Sequence, residues 1–164
     1  MCGILGVVNF KGVDGHTFRR QLEIIHHRGP DSTGLWSNGD GTVYLGSKRL
    51  AIQDLSNSAF MLMLSDDKRY AIVFNGEVYN FQLLRKRLRD IGFSFNSGSD
   101  TEVVLKSYIH YGVDCLNYLE GMFAVAIYDM INEELFLARD RIGEKPLYVW
   151  ENSDGISFAS QMNQ

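Results

Sequence analysis

The chain has 164 residues, 45% of them hydrophobic and 22% charged, close to the averages of roughly 45–50% and about 25% for globular domains. Sixteen Lys and Arg against twenty Asp and Glu leave a formal net charge of −4, the wrong sign for broad attraction to nucleic acid or an anionic membrane. Two Cys exclude a disulfide framework.

In chain order, Ile4 to Phe10 is a nearly continuous apolar run and predicts a strand buried on both faces. From His16 to His27, Phe18, Leu22 and Ile25 recur at helical spacing until Gly29 and Pro30 stop the pattern. Gly34–Trp36, Thr42–Leu45, Arg49–Ile52 and Tyr70–Phe74 read as antiparallel strands separated by Gly and Asn. Phe81 to Ile91 carries Leu84, Leu88 and Ile91 on one helical face, with Gly92 as a stop. Thr101 to Tyr111 is a second such helix, opened by Ser99 or Asp100 as N-cap and closed at Gly112. Met122–Tyr128, Leu135–Ala138, Leu147–Trp150 and Ile156–Ala159 return to strands. Strands in runs, interrupted by separate helices, predict an α+β fold in which helices cover two antiparallel sheets. No linker, repeat or composition shift divides the chain, so residues 1–164 are expected to form a single domain. No apolar run approaches the roughly 20 residues of a membrane helix, and no basic signal-peptide start is present, so a cytoplasmic protein is expected.

Cys2 is the first candidate for chemistry. Removal of the initiator Met would place its thiol beside a free α-amine, and an amine of reference pKa about 7.7–8.0 can take the proton of a thiol at about 8.5. Nucleophile and base would then share one residue; the plain alternative is a small apolar residue opening a strand. Asn75 and Gly76, read as a turn after a buried strand, offer a side-chain amide and a backbone N–H to an oxyanion, or form an ordinary Asn-Gly turn. Arg49, read at the head of a strand, suits bidentate recognition of a carboxylate. Asp100 can hold an ammonium group or cap a helix, and both roles are compatible. His26 and His27 point about 100° apart on a helix and no cluster completes a site, so no metal and no cofactor are assigned. Arg85, Lys86, Arg87 and Arg89 alternate with a Leu stripe and read as a solvated face, and Cys115 reads as a buried hydrophobe.

Met-Cys-Gly-Ile from Met1, His-Arg-Gly-Pro-Asp from His27, Arg-Leu-Ala-Ile-Gln-Asp-Leu-Ser from Arg49 and Phe-Asn-Gly-Glu-Val-Tyr-Asn from Phe74 together resemble one family, the class II glutaminase domain of asparagine synthetases. Ser-Asp-Thr-Glu from Ser99, Gly-Met-Phe-Ala-Val-Ala-Ile-Tyr-Asp from Gly121 and Arg-Asp-Arg-Ile-Gly-Glu-Lys-Pro-Leu-Tyr from Arg139 extend the match to about Ser160. The order of the fragments makes it specific, and His-Arg-Gly-Pro in place of His-Arg-Gly-Gln favours this branch over purine amidotransferases.

The resemblance implies a four-layer α-β-β-α fold of N-terminal-nucleophile hydrolases. It implies that Cys2 attacks the side-chain amide of glutamine to form a thioester, with Asn75 and the Gly76 N–H holding the oxyanion. Arg49 would take the substrate carboxylate, and Glu77 with Asp100 its ammonium group. An ATP-dependent synthetase domain or subunit is the implied partner; this chain contains no synthetase-type Ser-Gly-Gly loop. A catalytically silent glutamine-binding or regulatory domain of the same fold is the competing reading. Relatives read Gly-His-Gln-Pro-Met where this chain has Ala59, Phe60, Met61, Leu62 and Met63, and Gln161 stands where they carry Glu. The apolar residues from Phe60 to Leu64 are expected in a flexible or partner-facing loop.

Overall fold

The computed structural model describes residues 2–50 and 62–162. Its strands are β1 (Gly3–Asn9), β2 (Ser32–Ser37), β3 (Val43–Arg49), β4 (Leu62–Leu64), β5 (Tyr70–Val78), β6 (Gly121–Asp129), β7 (Glu134–Arg139), β8 (Tyr148–Asn152) and β9 (Gly155–Ala159). Its α-helices are α1 (Gly15–Ile24), α2 (Phe81–Asp90) and α3 (Asp100–Tyr111). The strands form two antiparallel sheets, ordered β2-β3-β1-β9-β8 and β4-β5-β6-β7.

Helix α1 lies on the outer face of the first sheet, where Phe18, Leu22 and Ile25 pack with Leu5 and Ala159. Helices α2 and α3 cover the second, burying Leu84, Leu88, Val104 and Leu105 against Ile72, Phe74 and Val125. Between the sheets, Ile4, Val43 and Leu45 meet Ala71, Val73, Ala124 and Ala126. The layers are therefore α-β-β-α, as expected from the sequence.

Local chemistry fixes the helix ends. Asp14 accepts hydrogen bonds from the His16 and Thr17 N–H groups at the start of α1, and Ser99 accepts from Glu102 N–H at the start of α3. Asp100 is thus the first helical residue, not the cap. Beyond α2, Gly92 takes φ +103°, which lets the chain leave the helix sharply.

Several sequence expectations need correction. Residues 43–45 of the first segment and Arg49 of the second belong to one strand, β3, which runs through Gly46. A Cβ there would lie 2.9 Å from Leu22 Cδ2, so this glycine lets α1 pack close to the sheet and does not break the strand. Arg49 consequently ends its strand; Ala51 and Ile52 lie outside the described residues. His26–Arg28 form a separate 3-10 turn after α1. Ile91 follows α2 and is 52% exposed, so the apolar face of that helix ends at Leu88. Leu62, Met63 and Leu64 form β4, paired with β5 and half-buried, because the edge of the second sheet offers them backbone partners. Ala59, Phe60 and Met61 lie outside the described residues.

Candidate active site

Strand alternation orients the candidate residues. Ile4 faces the interlayer core and Leu5 faces α1, so Cys2 shares the interlayer side with Ile4. In β3, Val43 and Leu45 face inward, and the same alternation carries Arg49 inward. In β5, Ala71 and Val73 face the interlayer while Ile72, Phe74 and Val78 face α2 and α3. Asn75 and Glu77 therefore continue the interlayer side.

Contacts across the layers fix which ends meet. Gly6, Leu45 and Trp36 form one rank of the first sheet, and Trp36 lies 6.1 Å from the ring of Tyr128, the partner of Ala71. The next rank is Ile4, Ser47 and Gly34. A Cβ on Gly34 would stand 2.9 Å from Leu62 Cβ, and Leu62 pairs with Val73. Two residues back along β1 thus correspond to two residues forward along β5. One rank further brings Cys2 and Arg49, from the first sheet, to the same end of the interlayer as Asn75 and Ala124, from the second. Glu77 lies beyond Asn75 at that rim.

The Cys2 thiol is half-buried and free of any disulfide. Its Sγ lies 3.3 Å from the Leu50 N–H and 3.7 Å from the Leu50 carbonyl, which tie it to the end of β3. Arg28 Nε donates to the Cys2 carbonyl at 2.9 Å, and burial lowers the pKa of this guanidinium from its ordinary value. Sequence reasoning assigned no role to Arg28; its place two residues before Pro30 gave no sign that it would brace the nucleophile's backbone.

Asn75 is 1% exposed, and its Nδ2 has no hydrogen-bond partner among the described residues. An unpaired buried donor costs on the order of 1–3 kcal/mol, so its persistence here provides a donor already stripped of water. Gly76 lies opposite Phe123 within β5, which corrects the expected turn at Asn75-Gly76. A Cβ at Gly76 would meet Met122 O at 2.3 Å, so glycine is required by the close approach of β6.

Asp100 joins this corner from α3: its Oδ2 accepts the Val78 N–H at 3.0 Å. Burial raises the carboxyl's pKa, and the nearby Glu77 charge pushes it in the same direction. The rim therefore combines a thiol, a desolvated amide donor, an arginine and two neighbouring carboxylates. Such a set can attack an acyl carbon and hold a zwitterion by its two charged ends.

Cys115 stands apart from the rim. It is buried beside α3, where burial pushes its thiol up to about 11, and it is unsuited to nucleophilic work. A groove of about 570 Å³ on the α1 side of the first sheet, bordered by Val7, Phe18 and Trp150, contains none of the rim residues. Among the described residues, no three His, Cys, Asp or Glu side chains converge as metal ligands, and no helix is long and apolar enough to cross a membrane.

Comparison with known proteins gives the same assignment at the level of family. The glutamine amidotransferase domain family matches over residues 1–164. The glutamine-hydrolyzing asparagine synthetase 3 of Bacillus subtilis is 40% identical over 166 residues, covering 99% of this chain and 27% of that protein. Asparagine synthetase 1 of Arabidopsis thaliana, also glutamine-hydrolyzing, is 39% identical over 163 residues, with 98% and 27% covered. The chain thus spans about a quarter of the length of these curated relatives. Among solved structures, the glutamine phosphoribosylpyrophosphate amidotransferase of B. subtilis, complexed with ADP and GMP, superposes with a TM-score of 0.77 at 23% identity. That match covers 97% of this chain and 42% of the other. The chain belongs to the glutamine amidotransferase domain family.

Proposed function

We propose that the rim hydrolyses the side-chain amide of glutamine through a thioester on Cys2. Carrying this reading is the unpaired Asn75 Nδ2, a buried donor on the same interlayer end as the thiol. The substrate α-carboxylate pairs with Arg49, and its α-ammonium group with Glu77 and Asp100. Sγ attacks the amide carbon while the α-amine of Cys2 takes the thiol proton. Asn75 Nδ2 and the Gly76 N–H hold the oxyanion. As the intermediate collapses, the C–N bond breaks, the proton passes to the leaving nitrogen and ammonia departs. Water then adds to the thioester, the thiol recovers its proton, and glutamate is released.

The mechanism requires that Met1 be absent from the working protein, because an acylated amine is not a base. The chain works as a single glutaminase domain that supplies ammonia to an ATP-dependent synthetase domain or subunit, a reading supported by the greater length of the asparagine synthetases it resembles. Both cysteines are free, the state the mechanism needs and the one a reducing cytoplasm maintains. Glutamate release, measured on protein whose Cys2 N-terminus is verified by mass, tests the reading. Activity should vanish in Cys2→Ala with the fold retained; the absence of glutaminase activity in the verified wild type would leave a silent binding domain instead.

A further inference from the structure

Three charged side chains are buried behind the Asp100 corner: Arg85 is 7% exposed, Glu102 2% and Lys106 4%. The sequence places Arg85 on a solvated face, and the structure corrects this. Its guanidinium turns inward, lies 4.9 Å from the Phe95 ring, and donates to Ser97 O at 2.7 Å and Ser99 O at 2.8 Å. Lys86, Arg87 and Arg89 are exposed. Glu102 accepts from the N–H groups of Asn96 and Ser97 at 2.8 and 2.7 Å and from Ser97 Oγ at 2.7 Å. Lys106 bridges Glu102 at 3.0 Å, Asp66 at 3.1 Å and the Ser94 carbonyl. The three charges thus grip five backbone groups between Ser94 and Ser99, immediately before Asp100.

Buried ion pairs are weak contributors to net stability, and apolar replacements of similar volume are often neutral or better. A cluster that holds one short loop at five backbone groups, with Lys106 also reaching Asp66, points to placement of the residue at the loop's end, Asp100. From the geometry we infer that Arg85, Glu102 and Lys106 are positioning residues that set glutamine selectivity by holding the Asp100 carboxylate where an α-ammonium group must sit. This inference rests on the glutamine site proposed above. Ser99 caps α3 while its carbonyl is held by Arg85, and Asp100 then bonds Val78 at the end of β5. A shift of the loop would move the carboxylate relative to Glu77, whereas Cys2, just before β1, and Asn75, within β5, lie outside the loop.

The test compares glutamine with its des-amino analogue glutaramate, which lacks the ammonium group. In Glu102→Gln, the KM for glutamine should rise about tenfold with kcat within about twofold, and the Ki of glutaramate as a competitive inhibitor should stay unchanged. Arg85→Lys keeps the charge, loses the paired donors, and should show the same selective loss at smaller size, so that either variant suffices if the other folds poorly. Asp100→Asn serves as the reference. If it loses glutamine selectively and both upstream variants do not, or if they weaken glutamine and glutaramate alike, the positioning role is overturned and the substrate site stands. If Asp100→Asn itself fails to discriminate the two compounds, the ammonium assignment falls, and this inference with it.

Discussion

Asn75 tests the site at the scale of one residue. Its Nδ2 makes no hydrogen bond to the described residues, which suits a donor used when charge develops on the substrate oxygen. Asn75→Ala should lower kcat about a hundredfold or more with a smaller change in KM, measured by steady-state glutamate release. Arg49→Lys should raise KM as well as slow turnover, since the charge survives and the bidentate fork does not. Asp100 predicts a pH dependence. Burial raises its pKa above the ordinary 3.8, and only its ionised form attracts an ammonium group. The KM for glutamine should therefore rise with falling pH through an inflection above that value, and Asp100→Asn should abolish the inflection. These residues were candidates in the sequence because thiol, amide, arginine and carboxylate each suit one part of glutamine and because they stand in motifs that resemble the glutaminase family. Arg28 was not, because its bond to the Cys2 carbonyl depends on a 3-10 turn that no periodicity announces.

At the scale of the element, β5 explains both a success and an error. Its apolar run was legible, but Asn-Gly is also a strong turn signal, and local chemistry could not tell whether another backbone would pair with it. Strand β6 does, so the strand continues to Val78. Gly76→Ala should destabilise the protein by about 1–3 kcal/mol, read as a lowered denaturation midpoint, because a Cβ has no room beside Met122 O. The loop after β7 is a comparable brace. Asp140 accepts backbone N–H groups of Phe123, Ile142, Gly143, Glu144 and Lys145. Because Phe123 pairs with Gly76, Asp140→Ala should lower both thermal stability and glutamine turnover. The charged helix α2 was misread for a related reason: alternation with Leu places Lys86, Arg87 and Arg89 outside, whereas Arg85 finds carbonyl acceptors in a loop twelve to fourteen residues away.

For the whole molecule, two antiparallel sheets covered by helices were legible because most helices and strands carry an apolar face that must be buried between layers, while the α-β-β-α order came with the family resemblance. The alignment of the two sheets was not legible. It depends on contacts such as Trp36 with Tyr128 and on space at Gly34 for Leu62, which are fixed only when the layers pack. That alignment is what brings Cys2 and Asn75 to one end. Acid should loosen the structure at a defined place. Arg69 holds Asp129 down to about 2, against an ordinary value of 3.8. A carboxylate depressed in the fold contributes stability that is fully present above 3.8 and lost as pH falls through about 2. Asp129→Asn should flatten that part of the stability profile in an acid titration followed by circular dichroism.

The most direct test of the central claim is acid-quenched mass spectrometry of the protein during turnover with glutamine. A glutamyl thioester should appear on the peptide beginning at Cys2, decay as glutamate accumulates, and be absent from the peptide containing Cys115. Glutamate release with no adduct in Cys2→Ala, or with the adduct on another residue, would contradict Cys2 as the nucleophile.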